Sequence, residues 1–137
     1  YLEAAPDDQS TGIEWGAHGT DVAGDDENVP PEIELAGKGK ANTDAIVTEI
    51  EDAVSAAKLC SELEINGYDD WFLPSKDELE IMYYNLRTTR IGGFAAAYYW
   101  SSTEYDAESA WAYHFYYGYA DYKYKFYVNR VRAIRSF

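Results

Sequence analysis

Between Ala110 and Asn129 the chain places seven tyrosines, two phenylalanines and one tryptophan in twenty residues. A tyrosine ring offers a broad, rigid contact area for only two side-chain torsions, and its hydroxyl stays hydrated when nothing is bound. Two faces of a strand pair cannot both be buried in so small a domain, so several of these rings must face water. Strand propensity also favours tyrosine, but ten aromatic residues in twenty exceed what propensity explains. The window therefore suits recognition of a ligand surface. Side chains able to do covalent or acid–base work are sparse by comparison. The single cysteine, Cys60, falls on an apolar stripe and reads as core. His18 and His114 lie in no recognisable nucleophile motif. Asp21, Asp25, Asp26 and Glu27 offer oxygen ligands to Ca²⁺, yet their spacing is not that of an EF-hand, and a solvated acidic loop is the plainer reading.

The elements that must position these residues change character along the chain. Its 137 residues suit one domain, taken as 1–137. The net charge of −14 argues against nucleic acid as a partner, because a phosphate backbone requires a basic face. That charge sits early: residues 1–80 hold 21 acids and 4 bases, whereas residues 81–137 hold 4 acids and 7 bases. No run approaches the ~18 apolar residues of a membrane span, so no membrane insertion is expected. One cysteine excludes an intrachain disulfide. The chain begins at Tyr1 without a leader and reads as a domain excised from a longer protein.

Short strands are expected near residues 1–5 and 12–16, followed by an irregular acidic stretch through residue 42 that takes in Gly37 and Gly39. Ile46, Ile50, Ala53, Ala57, Cys60 and Leu63 predict one helix over 43–63, capped by Asn42 or Thr43 and stopped at Asn66-Gly67. Ser75-Lys76-Asp77-Glu78 has the form of a capping box and opens a second helix carrying Leu79, Met82, Tyr83 and Leu86. From Tyr98 the period is two. Strands are expected over 98–102, 111–115 and 122–126, with Gly118 as a turn, and a closing strand puts Val131 and Ala133 opposite Arg130 and Arg132. Two helices followed by a β-rich C-terminal half define an α+β chain.

Tyr68-Asp69-Asp70-Trp71-Phe72-Leu73-Pro74-Ser75-Lys76-Asp77-Glu78-Leu79 resembles the hallmark block of the Lcl C-terminal domain family. Gly92-Gly93-Phe94 with Tyr98–Tyr105, and Asn129–Phe137, are similar to its later blocks, and Tyr1–Pro6 with Gly12–Gly16 fits its opening. Residues 17–42 carry nothing matched. The resemblance implies a C-type-lectin-like fold of the formylglycine-generating-enzyme subtype, with Trp15, Trp71, Leu73, Trp100 and Trp111 as core and Ser101 and Ser102 as turn or network residues. Family members occur in surface adhesins, phage receptor-binding proteins and variable proteins of diversity-generating retroelements. That implies a domain at the cell surface, secreted or on a virion. Enzymes of the same fold use paired cysteines or a three-histidine iron site, and neither set can be assembled from one cysteine and two histidines. The expectation is a non-enzyme without a cofactor, apart from Ca²⁺ in the acidic loop.

Relatives outside the retroelement group are rich in asparagine across the tyrosine window, where this chain is not. Retroelement mutagenesis acts at adenines, so an AAY codon becomes NNY, which encodes Tyr, His, Asp, Phe and Ala but never Lys or Trp. The candidate ligand-binding residues are accordingly Ala112, Tyr113, His114, Tyr116, Tyr117, Tyr119, Ala120, Asp121, Tyr122, Tyr124, Phe126 and Tyr127. The expected partner is a protein on a cell or viral surface. The alternative is a carbohydrate held by a lectin-like adhesin domain without diversification, although no calcium-lectin tripeptide such as Glu-Pro-Asn occurs. If the window is diversified, Trp111 should be buried, and Lys123 and Lys125 should point to solvent on the face opposite Tyr122, Tyr124 and Phe126.

Overall fold

Ser75 opens its helix as the sequence predicts: its hydroxyl accepts from Glu78 N, and Glu78 Oε1 accepts from Ser75 N in return. The computed structural model describes residues 1–22, 38–50 and 54–137. Three helices are present among them, α1 (Gly39–Glu49), α2 (Ala56–Ser61) and α3 (Lys76–Met82), the last continuing into a π-helical turn at Tyr83–Arg87.

The expected helix over 43–63 is therefore two helices, and the two-helix scaffold has three. Ser55 supplies the physical reason. Its backbone is extended and its side chain accepts from Lys58 N, so it caps a new helix at the point where the apolar stripe seemed continuous. Ala53 of that stripe lies outside the described residues. The start of α1 also differs. Gly39 is helical, donating its N–H to buried Glu78 Oε1 at 2.9 Å, and a Cβ there would collide with Glu78, the Leu73 carbonyl and Phe72. Asn42 and Thr43 are thus inside the helix and buried. Thr43 Oγ1 accepts from Leu73 N at 3.0 Å, tying α1 to the hallmark segment.

Two sheets carry the β-rich half. In the smaller, β1 (Leu2–Ala4) runs antiparallel to β7 (Ile134–Ser136), bringing the two ends of the chain together. The larger has the order β2 (Ser10–Glu14), β6 (Val128–Val131), β3 (Tyr98–Glu104), β4 (Ser109–His114), β5 (Tyr119–Tyr124). Only the β3–β6 pairing is parallel. The α+β class and the β-rich C-terminal half are as expected. The single closing strand is not, since the chain leaves one sheet at Val131 and enters the other at Ile134.

Adjacent Tyr99 and Trp100 point to opposite faces of β3 and anchor two apolar clusters. Trp100 joins Trp15, Ile46, Ala57, Cys60, Trp71 and Leu73 beneath α1 and α2. Tyr99 joins Phe72, Leu79, Met82, Tyr113 and Phe115 beneath α3. Cys60 is fully buried, and burial raises its thiol pKa well above the usual value, in keeping with a core residue. Both indoles of the first cluster keep partners: Trp15 Nε1 donates to Ser101 O and Trp100 Nε1 to Ile13 O, each at 2.8 Å.

Candidate ligand-binding surface

The β4–β5 hairpin and the turn into β6 display most of the tyrosine window. Gly118 closes the hairpin with φ +72°, and its N–H donates to His114 O. A side chain there would be strained and would also meet the Tyr83 ring, whose hydroxyl donates to Tyr116 O. Tyr116, Tyr117, Tyr119, Tyr122, Tyr124, Phe126 and Tyr127 are all exposed, between 46 % and 69 %. His114, Ala120 and Asp121 are partly buried beside them.

Two candidates do not belong to this surface. Ala112 is fully buried under Trp100's cluster, and Tyr113 is 2 % exposed beneath α3, packed on Phe115 and Tyr83. Both lie in the middle of β4, a strand flanked by β3 and β5, where each face is covered. Burial pushes the Tyr113 hydroxyl up to about 12, with Glu80 adding to the rise.

The exposed rings form three groups rather than one. On the face shared with Trp100, Tyr98, His114 and Tyr119 line up in cross-strand register. Tyr98 and Tyr119 share a hydroxyl hydrogen bond of 2.8 Å, and His114 stacks on Tyr119. His114 Nδ1 accepts from Tyr116 N and Tyr117 N, which fixes the turn. Burial and nearby Lys123 lower its pKa, which favours the neutral ring that those acceptor bonds require. On the opposite face Tyr122 stacks on Tyr105 with centroids 4.1 Å apart and 3° between planes, and Trp111 stands edge-on to both. At the end of β5, Tyr124 and Phe126 stack in parallel at 5.4 Å while Tyr127 and His18 meet Phe126 edge-on.

Trp111 and the two lysines depart from expectation. Trp111 is half-buried rather than core. The first residue of α3 lies over it, Lys76 Nζ being 4.3 Å from the ring centroid, and the cover ends there. Lys123 does point away from Tyr122 and Tyr124, but to a face that itself carries exposed aromatics. It sits 4.4 Å over the Tyr98 ring and pairs with Asp121 at 3.2 Å. Lys125 is not at the surface at all. It is fully buried, bonded to Glu104 Oε2 and Thr20 O at 2.9 Å, with Trp15 against it. The strand alternation was right, and the inward face at this position is polar.

That interior ion pair ties the N-terminal segment to the ends of β3 and β5. Glu104 also accepts from Val22 N, and the Asp21 carboxyl hydrogen-bonds to it. Burial, reinforced by Asp21 and opposed by Lys125, pushes Glu104 up to about 7. A second buried hub is Asp8. It receives Arg130, Arg132 and the Tyr99 hydroxyl at 2.7–2.9 Å. Arg132, on the strand face opposite Val131 and Ala133, is therefore buried.

Neither hub was legible in the sequence, because the partners are far apart along the chain and lie in no motif. Tyr98, Tyr105 and His18 have no local signal as surface residues for a related reason: the register and bulge of β3 bring the two tyrosines to the window, and the chain after β2 brings His18 against Phe126 and Glu108. Among the described residues no cluster of acids, histidines and cysteine is arranged to hold a metal. Asp25, Asp26 and Glu27 of the candidate calcium loop lie outside the described residues. No helix among those described is long and apolar enough to cross a membrane.

Three helices packed with a five-stranded mixed sheet, and an aromatic rim on the β4–β5 hairpin, define an α+β scaffold. The profile of the Lcl C-terminal domain family matches residues 5–135, and the chain belongs to that family. Comparison with curated proteins returned no match.

Proposed function

We propose that this domain is a non-catalytic ligand-binding module, receptor-binding or adhesin-like, that meets a protein on a cell or viral surface through its aromatic rim. The observation that carries the reading is the exposure of seven large aromatic side chains on one hairpin and its following turn, above a closed core. Rings held by stacking and by hydroxyl bonds keep little rotamer freedom, so their ordering costs less on binding. A catalytic reading finds little support. His114 spends its free nitrogen on two backbone N–H groups, His18 pairs with Glu108 at 2.6 Å, and Cys60 is sealed in the core. The site of action that follows is the cell surface, the extracellular space or a virion.

Diversification by a retroelement is the finer part of the proposal. It rests on the family resemblance and on the residue types at the exposed positions. Trp111 and Lys123 then act as unvaried contacts within the rim, and Lys125 as unvaried interior. The test is the gene's own locus. A near-identical repeat beside a reverse transcriptase, differing only at adenines, is the expected result. Sister genes that vary at Trp111 or Lys123 as often as at the tyrosines would overturn it. The second reading, a carbohydrate ligand, draws on the stacked Tyr105–Tyr122 pair, since flat exposed rings also suit sugar faces. Binding of the unmodified domain to a glycan panel would favour that reading.

A further inference from the structure

Resting on the ligand-binding reading, we propose that the open edge of β5 and the groove beside it take an extended, basic peptide segment as an added strand. Among the described residues β5 is the outermost strand of the larger sheet. Lys125 N donates to Glu108 O at 2.9 Å, which fixes the phase of the β4–β5 ladder. Antiparallel ladders alternate in steps of two. The N–H and C=O of Ala120 and Tyr122, and the N–H of Tyr124, therefore face away from β4. The Tyr124 carbonyl is taken by Tyr127 N. An edge of this kind pairs with another extended chain through main-chain hydrogen bonds, while pockets beside it select alternate side chains.

The pocket beside this edge is a groove of about 540 Å³. Tyr105, Tyr122, Tyr124 and Tyr127 line it together with Asp106 and Glu108. Both carboxylates are exposed. Asp106 Oδ1 accepts from Glu108 N and Ser109 N, which holds that carboxylate in place, while Glu108 reaches His18. Lys123 also borders the groove, but its ammonium is on the other face, over Tyr98 and against Asp121. The groove thus presents tyrosine rings and acidic groups, the combination that holds an ammonium or guanidinium by cation–π attraction and charge pairing. The chain's net charge of −14 adds long-range attraction for a basic partner. Tyr122 and Tyr124 are two residues apart on one face, matching the side-chain repeat of a strand laid alongside. Arginine or lysine at alternate positions of the partner is the occupant that fits.

The test is an amide NMR titration of the whole chain with the capped peptide Thr-Arg-Thr-Arg-Thr-Arg-Thr. Parallel titrations use its glutamate counterpart and two N-methylated forms, one methylated at every arginine and one at every threonine. The expected result is binding by the arginine peptide with shifts and slowed exchange centred on Ala120, Tyr122 and Tyr124. One N-methylated form should bind and the other should fail, because only alternate N–H groups of an added strand face β5. The double variant Tyr122→Ser, Tyr124→Ser should weaken binding by about tenfold while its melting temperature stays near that of the unmodified chain. Equal binding by both N-methylated forms would mean charge attraction alone and would overturn the proposal. Shifts centred elsewhere, binding of the glutamate peptide, or occupation of the groove by maltohexaose instead would also overturn it. The ligand-binding reading is tested separately, by selecting binders from a library diversified at the exposed rings. A library that yields binders while the arginine peptide ignores β5 keeps that reading and discards this one.

Discussion

Tyr113 and Tyr122 stand on the same face of neighbouring strands, and their surroundings are opposite. Tyr113 is paired with Ala120 and lies under α3, whose Met82 and the following Tyr83 close over it. Tyr122 is paired with Trp111, where α3 has only begun, and it is half in water. The same residue type, in the same pleat, becomes core or contact surface according to how far one seven-residue helix reaches. The scaffold and the exposed aromatic rim are therefore parts of a single sheet, divided by the length of its cover. Each is sensitive to different changes.

The largest effect is expected beneath the covers. Trp100→Ala should cost about 3–5 kcal/mol in chemical denaturation, as removal of a fully buried aromatic does. Lys125→Met should also destabilise, and more so above pH 7, where the Glu104 carboxyl ionises and the buried cation that pairs with it is gone. If Lys125→Met melts like the unmodified protein, the interior pair is not part of the scaffold.

A smaller effect is expected from pH. Glu104 holds its proton up to about 7 in the folded chain, against an ordinary value of 4.5 in the unfolded one. The folded state thus binds more protons across that interval. Stability should fall as pH rises from about 4.5 through about 7, and then level off. Glu104→Gln should remove that slope from a series of melts, whereas an unchanged slope would assign it to other groups.

Single hydroxyls and exposed rings come last. Among the described residues the buried Tyr113 hydroxyl has no hydrogen-bond partner, so Tyr113→Phe should be neutral or stabilising by up to about 1 kcal/mol. Tyr117→Ala, Tyr119→Ala and Tyr122→Ala should each change stability by no more than about 1 kcal/mol. Thermal melts showing these three to be as damaging as Trp100→Ala would erase the division between rim and core.

Local signals in the sequence carried much of this fold. The Ser75–Glu78 capping box, the positive φ of Asn66-Gly67 and the alternation along β3 to β5 all arise within a few residues, and each is present. Trp15, Trp71, Leu73 and Trp100 are core as their resemblance to the family blocks implied. Alternation tells which residues share a face but not what covers that face. That is why alternation alone does not separate Trp111, expected in the core, from Tyr113, expected at the surface. Lys125 is expected in solvent because charge favours water, and alternation gives Arg132 a face but no partner. Their partners, Glu104 and Asp8, are placed by sheet register and chain return, which no local pattern encodes.

The central claim is that the exposed rim recognises ligands while the covered sheet holds it. It is tested most directly by displaying the domain with His114, Tyr116, Tyr117, Tyr119, Tyr122, Tyr124, Phe126 and Tyr127 randomised over NNY codons, then selecting against hen lysozyme as an unrelated protein target. Specific binders that keep the melting temperature of the unmodified domain are the expected result. A well-folded library that yields none, or a library that loses its fold at these positions, would contradict it.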